Sequence, residues 1–473
     1  MANPIYGFRC TVYMALLCLL LSCGQRRTAG NGYLSREDSI AAIDLPQLTS
    51  NKKLTIITLY SSVSYFIYRG EPMGYDYDLC KDFAASLGLK LDVVVAKNET
   101  QLVDMLNNGD GDMIACNIPV TNQLKQEIIY CGKESVSNQV LIQRKYSTEP
   151  VLSDVTQLIG KEIYVQMETK YEQRLLHLNE ELGGGIIIHD IDKDSITTED
   201  MIEMVSIGKI PFTIADADIA ALNRTYYNNI DVNLAISFPQ RSSWAVRKTS
   251  PKLATALNDW VAENKTTTRY QAILKRYFEI SKNSKNSPLL SIQNGRISAY
   301  DHLFKVYSLQ IGLDWRLMAS IAYQESGFNN TAVSWAGAQG LMQIMPSTFV
   351  GLGGDLDDIT DPETSVRLAA KYIRNMDNSF KNIDDPNERI KFMLAAYNSG
   401  LGHVYDAQAL AKKYGKNPNI WDANVDEYIL LKSNPEYYTD SVCKFGYFRG
   451  KETHAYVQQV LARYEYYKSR IGY

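Results

Sequence analysis

The sequence predicts a multidomain protein in which an α/β domain is followed by a mainly α-helical domain. Strand and helix patterns alternate up to about residue 280, whereas strand patterns disappear after residue 296. The chain of 473 residues is longer than one ordinary hydrophobic core allows, so two or three domains are expected. Residues 281–295, between the two regions, are rich in Ser, Asn and Lys, which is typical of a linker.

The first domain, predicted over residues 51–280, consists of short β-rich segments that alternate with helical periodicity. Leu79, Phe83 and Leu87 recur at four-residue spacing, as on one face of a helix. The segments around this helix that predict strands are "KLTIITLY", "LDVVVA" and "DMIACNI", and later "EIYVQ", "GIIIHDI", "PFTIADADIAAL" and "SSWAVRK". Strand–helix–strand alternation predicts an α/β fold with parallel strand pairing.

The second domain, predicted over residues 296–473, contains successive segments with helical periodicity and no strand pattern. Examples are "ISAYDHLFKVYSLQIG", "WRLMASIAYQ", "PETSVRLAAKYIRNMDNSF" and "HAYVQQVLARYEYYKSRI". Each places apolar residues three or four positions apart, which is the signature of an amphipathic helix. The sequence therefore predicts a separate helical domain at the C-terminus.

The N-terminus has the pattern of an export signal, predicted over residues 1–22. A basic residue precedes a ten-residue apolar run, which is too short to span a bilayer. The "LLSC" ending resembles a bacterial lipobox, and this resemblance implies that Cys23 carries a lipid anchor. Residues 23–50 would then be a tether, and Gly24 favours the outer membrane, facing the periplasm. A plain signal peptide and an uncleaved anchor are the alternatives.

The net charge argues against a nucleic-acid partner, and the cysteine spacing argues against a metal site. The net charge of −4 argues against nucleic acid, which normally needs a basic face. Cys80, Cys116, Cys131 and Cys443 follow the signal region without metal-ligand spacing, so neither a metal nor another cofactor is predicted. Cys116 and Cys131 could pair in an oxidising compartment, but buried free thiols are the favoured interpretation.

Glu325 is the single acidic residue between Asp314 and Asp355 in the helical domain. Asp314 suits a helix N-cap, Leu317 and Ile321 lie on the same helical stripe as Glu325, and Gly327 suits the helix end. On this apolar stripe the carboxyl group should be desolvated, which would raise its pKa and suit a general acid. The alternatives are a structural buried Glu and a charge turned to solvent.

The segments around Glu325 resemble the lytic transglycosylases of the goose-type-lysozyme-like fold, which cleave bacterial peptidoglycan. They are "ESGFNNTAVSWAGAQGLMQIMP", "AAYNSG" and "ETHAYVQQV", in this order. The resemblance implies that Glu325 is the catalytic acid and base and that Glu452 is structural. It also implies a Tyr397 hydroxyl near the catalytic carboxyl group. The residues implied to bind substrate are Ser334, Met342, Gln343, Tyr397, Asn398 and Tyr456.

The same resemblance implies the chemistry. The β-1,4 bond between N-acetylmuramic acid and N-acetylglucosamine would be cleaved with formation of a 1,6-anhydromuramyl end, without a second catalytic carboxylate. Two alternatives stay open: a muramidase of the same fold that uses water, and a non-catalytic solute-binding or sensor lipoprotein.

Residues 51–280 resemble the family 3 periplasmic solute-binding proteins of amino-acid transporters. The resemblance lies in "GYDYDLCKDFAASLGLKLDVV" and "NNGDGDMIACNIPVTNQLKQEIIYC". It implies two lobes, crossovers near Gln143–Lys145 and Ser237–Arg241, and a ligand cleft that contains Asp216. Leu124 stands where such relatives carry an Arg that clamps a ligand carboxylate. The ligand is therefore left open between a small molecule and a muropeptide.

The combination of both domains behind an export signal resembles the membrane-bound lytic murein transglycosylase F family. This resemblance implies an enzyme of peptidoglycan turnover whose partners are glycan strands and, through a lipid, a membrane. The N-terminal domain would be a regulatory or sensing module, since a two-lobed cleft can influence a tethered neighbour by closing.

Overall fold

A computed structural model describes residues 43–147, 150–192, 196–282 and 295–472. The predicted signal peptide, the proposed lipidation site Cys23, and most of the tether and of the linker lie outside the described residues. The chain from Ile43 onward clusters as one compact unit. In the part that the structure describes, no helix combines the length and the apolar character that crossing a membrane requires.

The N-terminal domain has two lobes, as predicted, each with one central sheet. Within the described residues, the sheet of lobe 1 has the strand order β4-β1-β5-β12-β6. Its strands are β1 (Lys53–Leu59), β4 (Lys90–Ala96), β5 (Met113–Pro119), β6 (Ile128–Ser137) and β12 (Gln240–Arg247). Its helices are α1 (Leu45–Asn51), α2 (Tyr75–Ser86), α3 (Gln101–Asn107), α4 (Leu124–Glu127), α8 (Pro251–Asn264) and α9 (Thr268–Phe278).

Lobe 2 repeats this layout with the strand order β11-β7-β10-β8-β9 in the described residues. Its strands are β7 (Gln139–Arg144), β8 (Glu162–Gln166), β9 (Ile187–Ile191), β10 (Phe212–Asp216) and β11 (Ile230–Asp231). Its helices are α5 (Lys170–Glu181), α6 (Thr198–Ile207) and α7 (Ala217–Arg224), besides the 3-10 turn Val155–Leu158. Two apolar clusters pack on this sheet, as two others pack in lobe 1.

Strand pairing is mixed rather than wholly parallel. β1 pairs in parallel with β4 and β5, and β8 with β9 and β10, as the strand–helix alternation predicts. β12 is antiparallel to β5 and β6, and β7 is antiparallel to β10. These exceptions arise because β6, β7 and β12 flank the two passages between lobes, where the chain enters a sheet without a crossover helix.

The first passage between lobes lies earlier than predicted. The chain leaves lobe 1 at the end of β6 and enters β7 at Gln139, so Gln143–Lys145 is not the crossover. Gln143 is buried in lobe 2 instead. The prediction failed because β6 and β7 follow each other with a single residue between them, which leaves no visible break in the sequence. The second passage lies near Ser237 as expected, and Gln139 N donates to Ser237 Oγ at 2.8 Å.

The cysteines of the described residues are free thiols. Cys116 and Cys131 are buried in lobe 1 and form no disulfide, which confirms the favoured interpretation. Burial raises the pKa of Cys131 to about 12, so this thiol is not a reactive nucleophile at neutral pH.

The C-terminal domain is helical, as predicted, and has its own large apolar core. Its main helices are α10 (Asp301–Ile311), α11 (Trp315–Ser326), α12 (Pro346–Gly351), α13 (Pro362–Ser379), α14 (Pro386–Ser399), α15 (Leu401–Lys413), α16 (Asp426–Leu431), α17 (Pro435–Tyr438) and α18 (Gly450–Arg470). Helix α11 packs against both α10 and α18, and α14 packs against α18. The centre of the domain is therefore built around α11, α14 and α18.

A small hairpin connects lobe 1 with the helical domain. Strands β2 (Phe66–Tyr68) and β3 (Glu71–Met73) are antiparallel and joined by a two-residue turn, Arg69-Gly70. Both turn residues have positive φ angles, 51° and 81°, as a type I′ turn requires. The turn lies against Gly400 of the helical domain, where an added Cβ atom would come within 2.8 Å of the Gly70 nitrogen.

Candidate active site

Glu325 lies in the last turn of α11, and both predicted ends of this helix are confirmed. The Asp314 side chain accepts a hydrogen bond from Arg316 N at 2.9 Å and caps the N-terminus. Gly327, with a φ of 60°, terminates the helix. The Glu325 side chain is only 3% exposed, which matches its predicted position on the buried stripe.

Two donors engage the carboxylate of Glu325, one on each oxygen. The Tyr456 hydroxyl donates to Oε1 at 2.7 Å, and Arg69 Nη2 donates to Oε2 at 2.9 Å. Burial, together with the Glu325 charge, raises the pKa of Tyr456 well above its ordinary value, so its hydroxyl stays protonated. Because a guanidinium group has no acceptor, Oε2 can only accept in this arrangement.

Arg69 reaches Glu325 from the hairpin of lobe 1, and its second contact is also in the helical domain. Arg69 Nη1 donates to the backbone oxygen of Gln343 at 2.8 Å. Burial opposes the charge of Arg69, but Glu325 holds the pKa of this group well above its ordinary value. His403 supports the hairpin, because its Nε2 lies 2.9 Å from the Ile67 oxygen.

A cavity of about 380 Å³ opens in front of Glu325. Of the residues predicted to bind substrate, four line it together with Glu325: Ser334, Gln343, Asn398 and Tyr456. Met342 and Tyr397 are buried beside it and are not among the lining residues. The structure thus places most of the predicted set around one space.

In this conformation, the polar groups of several predicted cleft residues form hydrogen bonds within the helical domain. The Tyr397 hydroxyl donates to the Met342 oxygen at 2.7 Å rather than to Glu325. Asn398 Oδ1 accepts from the Thr453 hydroxyl at 2.6 Å. Ser334 Oγ accepts from Ala338 N at 2.9 Å, which fixes a turn of the loop. Tyr456, not Tyr397, is the hydroxyl in contact with the carboxylate.

The opposite wall of the cavity comes from lobe 2 of the N-terminal domain. Glu199, Asp200 and Glu203, from the first turns of α6, line it. They face Arg449 and Lys451, at the start of α18. Lobe 1 therefore places a cation on the Glu325 carboxylate, while lobe 2 lines another part of the same cavity.

Glu452 is the second buried carboxyl group of the cavity. Burial raises its pKa, although Arg449 and Lys282 oppose this effect. Burial and then Arg449 lower the pKa of Lys282 to about 7. Tyr456 and Arg69, rather than Glu452, make the hydrogen bonds to Glu325 described above. The structural role predicted for Glu452 stays a prediction.

At the predicted ligand cleft of the N-terminal domain, Asp216 is paired within the protein and the expected Arg is replaced by Leu124. Asp216, at the end of β10, forms an ion pair with Lys170 at 2.5 Å. Leu124 begins α4 and offers no guanidinium group for a ligand carboxylate. Asn117 of lobe 1 donates to Asp218 of lobe 2 at 3.1 Å, which joins the lobes directly. In this conformation, the carboxylate predicted to lie in the ligand cleft is therefore already paired with a lysine of the protein.

Arg69 is the functional residue that the sequence prediction missed. A signal exists in "FIYRGEPM", where two short strand patterns flank a dipeptide that ends in Gly. An arginine with positive φ costs about 1 kcal/mol or more relative to glycine, and such strain is concentrated at functional sites. The contact itself is not visible in this local pattern, because its partner Glu325 lies 256 residues away in the sequence.

Comparison with known proteins supports both domains. Residues 54–280 match the model for bacterial extracellular solute-binding proteins, family 3, and residues 302–420 match the transglycosylase SLT domain. A membrane-bound lytic murein transglycosylase F of Desulfosudis oleivorans is 33% identical over 427 residues, which cover 90% of this chain and 92% of that protein. This chain belongs to the membrane-bound lytic murein transglycosylase F family. A family member from Photobacterium profundum is 28% identical and covers 100% of this chain and 88% of its own length.

The two matched segments cover the N-terminal domain and the first part of the helical domain. The SLT match includes Glu325, Ser334 and Tyr397. Tyr456 and Glu452 lie beyond it, on α18. The contact between Tyr456 and Glu325 thus connects the matched segment with the last helix.

Proposed function

We propose that this protein is a lytic transglycosylase that cleaves the β-1,4 bond between N-acetylmuramic acid and N-acetylglucosamine in peptidoglycan. The observation that carries the proposal is the buried Glu325 carboxylate at the wall of a cavity, held by the Tyr456 hydroxyl. Its other hydrogen-bond partner in the described part of the chain is Arg69, so neither partner is a carboxylate. Family membership adds independent support.

One carboxyl group can perform both proton transfers of this reaction. Protonated Glu325 gives its proton to the glycosidic oxygen as the C–O bond to muramyl C1 breaks, and the substrate's N-acetyl group stabilises the positive charge that develops. The resulting carboxylate then takes the proton of the muramyl C6 hydroxyl, which bonds to C1 and closes the 1,6-anhydro ring. Tyr456 orients the carboxylate in both steps, and no water is consumed.

The product mass distinguishes this reaction from that of a muramidase. Digestion of purified cell wall should release fragments whose muramyl ends are one water lighter than hydrolysed reducing ends, because the C6 hydroxyl replaces water as the nucleophile. Mass spectrometry of the soluble fragments measures this difference. A goose-type muramidase digest of the same wall serves as the control, and reducing ends from our protein would indicate hydrolysis.

We further propose that the N-terminal domain regulates the enzyme by occupying its active site. Arg69 donates a hydrogen bond to one oxygen of Glu325 and lines the cavity in front of it. Its guanidinium group would therefore obstruct a sugar that approaches Glu325. The hairpin belongs to lobe 1 and the acidic wall to lobe 2. A small molecule or muropeptide that changes the angle between the lobes would therefore displace at least one of these contacts.

The anchoring of the protein to the envelope rests on its N-terminal sequence. We propose that Cys23 is lipidated and holds the protein at a membrane, with the outer membrane favoured by Gly24. Relatives named membrane-bound support an envelope location. Cys23→Ala should move the protein from the membrane fraction to the soluble periplasmic fraction, measured by fractionation and immunoblotting. Cys443→Ala is the control, and retention of the Cys23 variant in the membrane would refute lipid anchoring at this residue.

A further inference from the structure

Two cations stand at the start of α18, where helix electrostatics disfavour them. Arg449 is the N-cap residue, and Lys451 lies in the first turn of this 21-residue helix. The N-terminus of a helix carries a partial positive charge, so a nearby cation is unfavourable there unless an anion offsets it. Glu452, in the same first turn, supplies one negative charge beside the two cations. The start of α18 therefore attracts further anions.

Three carboxylates of lobe 2 form ion pairs with these two cations in the structure, and all three belong to α6. Lys451 Nζ lies 2.8 Å from Asp200 Oδ1 and 2.5 Å from Glu203 Oε2. Arg449 Nη1 lies 3.2 Å from Glu199 Oε2. Both cations and all three acids line the cavity that contains Glu325. The site is thus built into the wall of the catalytic space.

The proposed substrate carries the same chemical groups. Each muramyl residue bears a short peptide stem with free carboxylates, so an unmodified glycan strand is an anionic polymer. The protein has a net charge of −4, which repels such a strand unless cations meet it at the cleft. Arg449 and Lys451 line the same cavity as Glu325, so the stem of a sugar bound at Glu325 would start within this cavity.

We infer that Arg449 and Lys451 bind the carboxylates of the peptide stem of the substrate, and that Glu199, Asp200 and Glu203 of lobe 2 occupy this site in their place. The inference rests on the proposed transglycosylase function. It makes lobe 2 and the stem competitors for one pair of cations. Stem binding then requires that α6 leaves, and it opposes the return of α6.

A matched pair of full-length variants separates stem binding from a purely structural role. Lys451→Gln removes the cation, whereas the double variant D200N/E203Q removes its lobe 2 partners and keeps the lysine. Both break the same two ion pairs. Lys451 is suited to this test because 45% of its side chain is exposed, so its replacement should not impair folding. Thermal unfolding of both variants checks this.

The substrates are native sacculi and sacculi whose stem carboxylates have been converted to amides with carbodiimide in excess ammonia. For the D200N/E203Q variant, we expect the rate on native sacculi to exceed the rate on amidated sacculi at least fivefold. For the K451Q variant this ratio should fall to near one. Equal ratios for the two variants would overturn the inference, because the lysine would then serve only to hold lobe 2.

A third condition distinguishes carboxylates of the substrate from those of a free effector. Free stem peptide is added to amidated sacculi with the wild-type protein. No stimulation is expected if the stem must be attached to the strand being cleaved. Stimulation that is lost in K451Q would overturn the assignment to the substrate and indicate an effector site. Failure of the proposed function is distinguishable, since no protein would then release anhydro fragments.

Discussion

Replacing Glu325 with Gln should lower the release of soluble wall fragments by about a thousandfold or more. The expected size follows from the loss of both proton transfers, since general acid–base groups typically contribute about 10²–10⁴-fold to a rate. Gln keeps the shape of the side chain and the hydrogen bond from Tyr456, so the change is chemical rather than structural. Release of fragments from purified sacculi, followed by chromatography and mass spectrometry, measures the effect.

Glu452→Gln is the matched control, because it removes the other buried carboxyl group of the same cavity. Its activity should stay within about tenfold of the wild type, since a single-carboxylate mechanism needs no second acid. The two variants are also compared in a protein that carries Arg69→Asn, so that a low basal rate does not hide the difference. A Glu325→Gln protein with undiminished lysis would refute the catalytic assignment. A thousandfold loss in Glu452→Gln would instead indicate a two-carboxylate mechanism.

Replacing Arg69 with Asn is expected to raise the rate of the full-length protein about tenfold or more. Hydrogen bonds to charged groups contribute about 1.5–3 kcal/mol each, and a preference of 1.4 kcal/mol for the blocked state corresponds to a factor of ten. Asn tolerates positive φ better than most residues, so the Arg69-Gly70 turn should persist while the guanidinium group is lost. Initial rates on sacculi, for the wild type and the variant at equal concentration, measure the change.

Arg269→Ala is the control for Arg69, since Arg269 forms an exposed ion pair with Asp82 on lobe 1. This substitution should leave the rate unchanged. The rate of Arg69→Lys should lie between the rates of the wild type and of Arg69→Asn. A lysine keeps the positive charge, but it lacks the two guanidinium nitrogens that donate to Glu325 and Gln343. If Arg69→Asn leaves the rate unchanged or lowers it, Arg69 is not an inhibitory residue.

The sequence predicts the local features of the site because they depend on nearby residues. The spacing from Asp314 to Gly327 determines where α11 begins and ends, and it places Glu325 on the buried stripe. The two-domain fold likewise follows from strand and helix patterns, apart from the antiparallel strands and the position of the first passage between lobes. Those exceptions depend on how the chain enters a sheet, which periodicity alone does not encode.

The features that the sequence does not reveal are contacts between segments far apart in the chain. Arg69 and Glu325 are 256 residues apart, and Lys451 and Asp200 are 251 apart. By their local patterns Arg69, Lys451 and Asp200 are ordinary surface charges, and the position of Glu325 on a buried stripe does not reveal its partner. Only the packing of both lobes against the helical domain turns them into buried or half-buried ion pairs. Tyr456 combines both situations. Its motif is visible in the sequence, but its contact with Glu325 depends on the packing of α11 against α18.

The contacts of the hairpin Phe66–Met73 also suggest the design of an inhibitor. It presents one guanidinium group to the catalytic carboxylate and to the Gln343 carbonyl, from a turn of only two residues. A cyclic peptide that holds "YRGE" in the same type I′ turn, or a small amidine of similar shape, would carry the same pair of donors into the cavity. Such a compound would resemble this hairpin of the protein rather than the sugar, and it would need no glycan scaffold.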